Sequence, residues 1–272
     1  MFTRLSLKSG FLICAILCTC ALPAHAQSPV PVRDPNALAL ASRALQALAG
    51  GKAITDITLQ ARATYIAGSD QDTGPATLVA LGNQQSRVTL SLTGGQRQEI
   101  RNGIAGAWVG QDGTAHATAL HNCWTDASWF FPALSLAAAV SSPQTSVAFI
   151  GLETKLGIPV AHLQISKTLP RQPQMTPIIQ RLSASDLYLD ASSSLPVALD
   201  FNVHPENDAG RNIAVEIRYS NYQVANGIRV PLHIQKYQEG TLTLDLAVTN
   251  AVANSGVSSS FFVLLAVSGG KP

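Results

Sequence analysis

The residues in this chain that could do chemistry are few and scattered. His116, His121 and Cys123 form a local group of nitrogen and sulfur donors, and the His121-x-Cys123 spacing would turn both toward one side of an extended segment. A zinc or copper site needs three or four converging ligands. No further donor motif accompanies these three, so no metal is assigned to them. Cys123 has no Lys or Arg close in sequence to favour its thiolate and reads as a small buried hydrophobe. Asp70-x-Asp72-x-Gly74 opens like a calcium loop, but the twelfth position is Leu81, where such a loop places a bidentate Glu, so a hairpin turn is expected instead. Asp186, Asp190, Asp200 and Asp245 could supply the carboxylate pair of a glycosidase. Alternation puts Asp190 and Asp200 on polar strand faces, and all four are read as structural. There is no Gly-x-Ser-x-Gly elbow, no phosphate loop and no dinucleotide fingerprint. No catalytic residue and no cofactor is therefore assigned. A hydrolase assembled from distant strands stays open, because triads are spatial rather than sequential.

The elements that would position such residues are read from hydrophobic periodicity. Residues 36–49 carry Leu38, Ala41, Leu45 and Leu48 at helical spacing, and Gly50-Gly51 supplies a stop, so a helix is expected there. From Ile54 the period falls to two. Ile57, Leu59, Ala61, Ala63 and Tyr65 alternate with polar residues, which marks a strand with one wet face. The same alternation recurs through Val88 to Leu92, Val197 to Val203, Ile213 to Tyr219, Ile228 to Ile234, and Leu242 to Val248. Asn226-Gly227, Glu239-Gly240 and the stretch Pro205 to Gly210 mark reversals between these runs. Connections this short imply antiparallel neighbours, since parallel pairing needs a long crossover. Pro231 cannot donate to a ladder, which predicts that its strand is an edge or carries a bulge.

One segment breaks the pattern. Residues 124–140 hold Trp129, Phe130, Phe131, Leu134, Leu136 and Val140 behind a cap candidate at Thr125 or Asp126, and read as a helix apolar almost all round. Such a helix must be buried on more than one side. It is either a core helix packed on the sheet or a plug over a cavity formed by the sheet. In the second case Trp129, Phe130, Phe131, Leu134 and Leu136 are the candidate ligand-binding residues.

Composition sets the compartment and excludes some partners. Of 272 residues, 46% are hydrophobic and 12% charged, which excludes a disordered chain. Arg4 and Lys8, the apolar run at residues 11–22 and the small-x-small site Ala24-His25-Ala26 form the three parts of a secretory signal. Twelve apolar residues fall short of the roughly 20 that span a bilayer as a helix. Export to the periplasm or the exterior, with cleavage near Ala26, is expected. Without the signal the chain holds 16 cationic and 16 anionic side chains, so a general nucleic-acid surface has no support. Three of the four cysteines lie in the signal, and Cys123 alone has no intrachain disulfide partner. The expected organisation is a signal at 1–26, an extended Pro-rich leader at 27–35, one domain at 36–265 and a disordered tail at 266–272.

The C-terminal half resembles a known family. A strand ending in Leu189-Asp190, a restart at Leu195-Pro196, and Tyr219-Ser220-x-Tyr222 leading through Asn226-Gly227 to Val230-Pro231 look like the closing strands of the LolA-like superfamily of lipoprotein carriers and sensors. The opening helix and the long strand after it are compatible, so the resemblance covers about residues 36–262. It implies a β-rich α+β fold: an antiparallel, strongly curved sheet or half-open β-barrel with an N-terminal helix and a second apolar covering helix. It also implies a concave side that receives acyl chains. No position matches that family's cavity arginine; Arg62 lies on an early strand, but on its wet face. The function expected is an exported, non-catalytic protein that binds a lipid, an acyl chain or a lipidated protein. A cell-envelope sensor or interaction module without a lipid cavity is the alternative. The sequence assigns no oligomeric state.

Overall fold

Asp34 and Pro35 set the first helix. The Asp34 carboxylate accepts the Asn36 N–H at 2.8 Å, and Pro35 occupies the first helical position, where no N–H is needed. Gly50, at φ 60°, closes the other end by donating to the Gln46 carbonyl. The helix, α1 (Pro35–Ala49), buries Ala37, Ala41, Ala44 and Leu48 completely, so its close-packed stripe is mostly alanine, with Leu38 and Leu45 at the flanks. The computed structural model describes residues 31–264. The segments read as an export signal at 1–26, as the first part of a leader and as a tail at 266–272 lie outside the described residues.

After α1 the chain forms two antiparallel meanders. The first is β1 (Asp56–Ala67), β2 (Asp70–Leu81), β3 (Gln85–Leu92), β4 (Gly95–Asn102), β5 (Ala105–Val109) and β6 (Ala115–Ala117). A connection then carries α2 (Pro132–Ser141). The second meander is β7 (Thr145–Lys155), β8 (Ile158–Lys167), β9 (Ser185–Asp190), β10 (Pro196–Val203), β11 (Ile213–Ala225), β12 (Ile228–Gln238) and β13 (Thr241–Ala253). A short helix, α3 (Thr176–Ser183), interrupts it between β8 and β9. The sequence reading did not anticipate α3. β1 pairs with β13, which fuses the two meanders into one sheet of thirteen strands ordered β6-β5-β4-β3-β2-β1-β13-β12-β11-β10-β9-β8-β7. The hairpins expected at Asn226-Gly227 and Glu239-Gly240 have φ of 54° and 81°, and 51° and 75°, the paired left-handed geometry of a type I′ turn.

Laid flat, thirteen strands would be roughly 58 Å wide, and twisted sheets of that size curl. This one curls without closing. α1 touches β7 and β8 at one edge and β12 in the middle, and a single hydrophobic cluster joins side chains of β1–β3 with those of β7–β13, α1 and α2. The connection from β6 to β7 runs from one edge of the sheet to the other. It therefore crosses the concave side, which is why the apolar residues of this segment are buried there. On the convex side, Phe262 from a 3-10 turn at Ser259–Phe262 covers Val79 and Ile100.

Two expectations need correction. The helix read over residues 124–140 begins only at Pro132, and neither Thr125 nor Asp126 caps it. Proline disfavours helical backbone in the residue before it, and Phe131 is accordingly extended at φ −142°, ψ 88°. Asp126 is instead ion-paired with Lys167 at 2.9 Å. Pro231 is not on an edge strand, because β12 lies between β11 and β13. The ladder with β13 starts at His233, however, so Pro231 occupies the half of β12 that pairs with β11 alone. Its missing donor costs nothing on the open side.

Candidate functional site

The residues before α2 are fixed from several directions. Ala127 N–H donates to Asn83 O at 2.8 Å, Lys167 donates to Trp124 O at 2.7 Å, and the Tyr219 hydroxyl donates to the Trp129 carbonyl. Phe130, Phe131, Leu134 and Leu136 are fully or almost fully buried. The space between Pro132, Ser135, Leu187, Leu199 and Phe201 is a void of about 20 Å³, enough for one water. The core under α2 is therefore filled. Of the five candidate binding residues, all lie in one segment, but only Trp129 reaches an open cleft.

That cleft has a volume of about 280 Å³ and lies on the concave side where the sheet opens. Register explains its lining. Val88 pairs with Glu99 and Glu99 with Trp108, Leu90 pairs with Arg97, and Lys236 pairs with Leu244, so all these side chains share the face that carries the core. Val88, Leu90 and Leu244 give an apolar floor, with Trp108 and Trp129 on the sides. Two cations stand over aromatic rings: Arg97 at 4.4 Å from the Tyr65 centroid and Lys236 at 5.0 Å from that of Trp129. Sequence reasoning missed Arg97, Glu99 and Lys236. β4 reads GQRQEIRN and offers no apolar alternation to reveal which of its faces turns inward.

The donor group does not converge. His116 stacks on Trp108 at 4.1 Å, the His121 Nε2 lies 2.9 Å from Pro205 O, and Cys123 is buried. Burial pushes the Cys123 thiol up, against the opposing pull of Arg101. Among the described residues no three His, Cys, Asp or Glu side chains are placed to share a metal. Asp72 binds across the neighbouring turn, accepting from the Thr93 hydroxyl and from Gly94 N–H at 2.8 Å, and these bonds hold its carboxyl below the usual range. Asp190 caps a turn by accepting from Ser192 and Ser193. Asp245 binds His233 at 3.0 Å and Gln235 at 2.7 Å.

The other carboxylates are brought together on the convex face, which the sequence did not disclose. Asp186 is the register partner of Asp200, and Asp200 of Glu216, giving a row across β9, β10 and β11. Cations interleave with it. Lys155 lies 2.7 Å from Asp200 and 3.0 Å from Glu216, Arg218 pairs with Glu216, and His162 sits between Glu153 at 2.7 Å and Asp186 at 2.9 Å. Burial raises Asp200 despite Lys155. For Glu216, burial is outweighed by the bonds from Arg218 and Lys155, and its carboxyl is lowered. This row is a cross-strand ion-pair network, and Asp186, Asp200, Glu216 and Arg218 line an open groove of about 210 Å³ on that face.

No protein-family model matches the sequence, and no curated protein matches it either. Solved structures do match. A LolA superfamily protein from Nitrosomonas europaea aligns over 84% of this chain and 97% of its own at 12% identity, with a TM-score of 0.54. A putative outer membrane lipoprotein-sorting protein domain from Vibrio parahaemolyticus aligns over 83% and 95% at 12% identity, TM-score 0.51. A DUF1329 family protein from Desulfovibrio piger aligns over 85% and 98% at 13% identity, TM-score 0.50. At these identities the likeness is one of architecture: this chain has the LolA-like fold, an open, curved antiparallel sheet with helices on its concave side.

Proposed function

We propose that this chain is an exported binding protein that takes the apolar chain of an amphiphile, either a lipid or the acyl group of a lipidated protein, into the cleft beside Trp129. The observation that carries this reading is the cleft itself: an open space of about 280 Å³ with an apolar floor and an aromatic wall, on the concave side of a LolA-like sheet. Small-molecule sites begin at about 300 Å³, and this cleft nears that size with Arg97, Glu99, Lys236, Gln238 and Thr243 sharing its lining with the apolar and aromatic side chains. Trp129 would contact the bound chain directly. Phe130, Phe131, Leu134 and Leu136 would anchor the segment that carries it, and would meet a ligand only if that segment lifts. Export follows from the signal at residues 1–26, and among the described residues no helix is long and apolar enough to cross a membrane.

Native mass spectrometry and lipid extraction of the exported protein, purified without detergent, test the reading. A co-purifying amphiphile is expected, together with a Trp fluorescence change on adding a dodecyl-chain amphiphile that Trp129→Ala diminishes. A protein that carries no lipid and takes up none would refute it. N-terminal mass analysis of the exported form tests cleavage after Ala26.

A further inference from the structure

We infer that the cleft selects a single-chain amphiphile with a compact oxyanion head, carboxylate or phosphate, received by Arg97 and Lys236; this rests on the amphiphile-binding reading above. Three charged side chains line the cleft: Arg97, Glu99 and Lys236. Two cations against one carboxylate leave a net positive charge facing an apolar floor, where the low dielectric strengthens attraction for an anion. A zwitterionic or cationic head would leave that charge unbalanced.

Three other cations of the described residues have carboxylate partners. Lys155 is held by Asp200 and Glu216, Lys167 by Asp126, and Arg218 by Glu216. Among the described residues Arg97 and Lys236 have no carboxylate within ion-pair distance. The Arg97 Nε is buried without a hydrogen-bond partner, as are those of Arg87 and Arg101, but of the three only Arg97 lines the cleft. Stacking holds each cation in place, Arg97 over Tyr65 and Lys236 over Trp129. Stacking of this kind occupies the face of a guanidinium and leaves its N–H edge free for an oxyanion. The register sets the heads beside the floor, since Arg97 pairs with Leu90 and Lys236 with Leu244. A space of about 280 Å³ admits one chain rather than two.

Calorimetric or fluorescence titration at mildly alkaline pH and low salt, with dodecanoate, dodecyl phosphate, dodecanol and inorganic phosphate as separate probes, tests the inference. The two anionic amphiphiles are expected to bind at least about tenfold more tightly than dodecanol, the range of charge-assisted hydrogen bonds. That ratio is expected to fall to near one in Arg97→Gln and in Lys236→Gln, each checked for native melting. Should Arg97→Gln fail to fold, the ratio in Lys236→Gln decides. Equal binding of all three dodecyl probes, or a preference that survives in the folded variants, overturns the oxyanion clamp while leaving the amphiphile reading intact. Inorganic phosphate binding as tightly as dodecyl phosphate would assign the cations to a free oxyanion and overturn it too. Failure of every dodecyl probe to bind removes both readings together.

Discussion

The guanidinium of Arg33 donates to the Val140 carbonyl at 2.8 Å, across 107 positions of sequence. It also donates to Ala139 O at 2.8 Å, Ser142 O at 2.6 Å and Thr145 O at 3.1 Å. The last carbonyls of a helix have no partner within it. Arg33 therefore serves as the C-terminal cap of α2, while its neighbour Asp34 caps the start of α1. The segment read as a leader is a clasp: Val32 and Asp34 bond to β7 on either side of an isolated parallel bridge between Arg33 and Val147.

Arg33→Ala is expected to destabilise the fold by about 2–3 kcal/mol, from lost charge-assisted bonds and carbonyls left without a donor. Arg33→Lys should recover part of this, because a point charge can satisfy one or two carbonyls but not four. Urea denaturation of both variants checks the order wild type, Lys, Ala.

Tyr219 holds the other end of the same segment. Its hydroxyl donates to the Trp129 carbonyl in a fully buried setting, and Tyr219→Phe would remove the donor while keeping the ring. A loss of about 1–2 kcal/mol is expected. Amide exchange should rise over residues 127–131 more than over β11. Uniform protection in the variant would contradict the tether.

Much of this architecture was legible. Asp34-Pro35 and Gly50 bound α1 as local chemistry requires, and the alternations from Ile57, Val88, Val197, Ile213, Ile228 and Leu242 each became a strand with its apolar side buried. What stayed hidden depends on register between distant strands. Arg97, Glu99 and Arg101 face inward on β4, where a polar alternation looks like any wet surface. Asp186, Asp200 and Glu216 form a row only once β9, β10 and β11 are aligned. Trp129 reaches the cleft while Phe130 and Phe131 are fully buried, a division that composition does not encode.

Gly74 marks a close approach that sequence does not flag either. A Cβ there would lie 2.0 Å from the Ser91 carbonyl oxygen, a backbone atom that can move only with β3. Gly74→Ala is expected to cost about 2–3 kcal/mol. Gly68→Ala, at a turn where a Cβ meets nothing within 4 Å but φ is 63°, should cost only about 1 kcal/mol. Thermal melting of the pair separates a steric clash from a backbone preference.

The convex ion-pair row gives a pH dependence of defined sign. Asp200 is raised by burial, so its ionised form opposes folding, and the stability associated with its neutral form is present below its ordinary value of 3.8 and lost as pH rises through the higher folded value. Glu216 is lowered, so its contribution is present above its ordinary value of 4.5 and lost as pH falls through the lower folded value. Asp200→Asn should therefore be as stable as wild type or more so at pH 7, by up to about 1 kcal/mol, because Lys155 keeps Glu216 as its partner. That advantage should vanish below 3.8, where Asp200 is neutral in both the native and unfolded chains. Glu216→Gln should do the opposite, losing about 1 kcal/mol at pH 7 and converging with wild type in acid. Parallel urea titrations at neutral and acid pH read both differences. If the two variants shifted in the same direction at pH 7, the carboxylates would not be divided between one that burial penalises and one that its cations hold ionised.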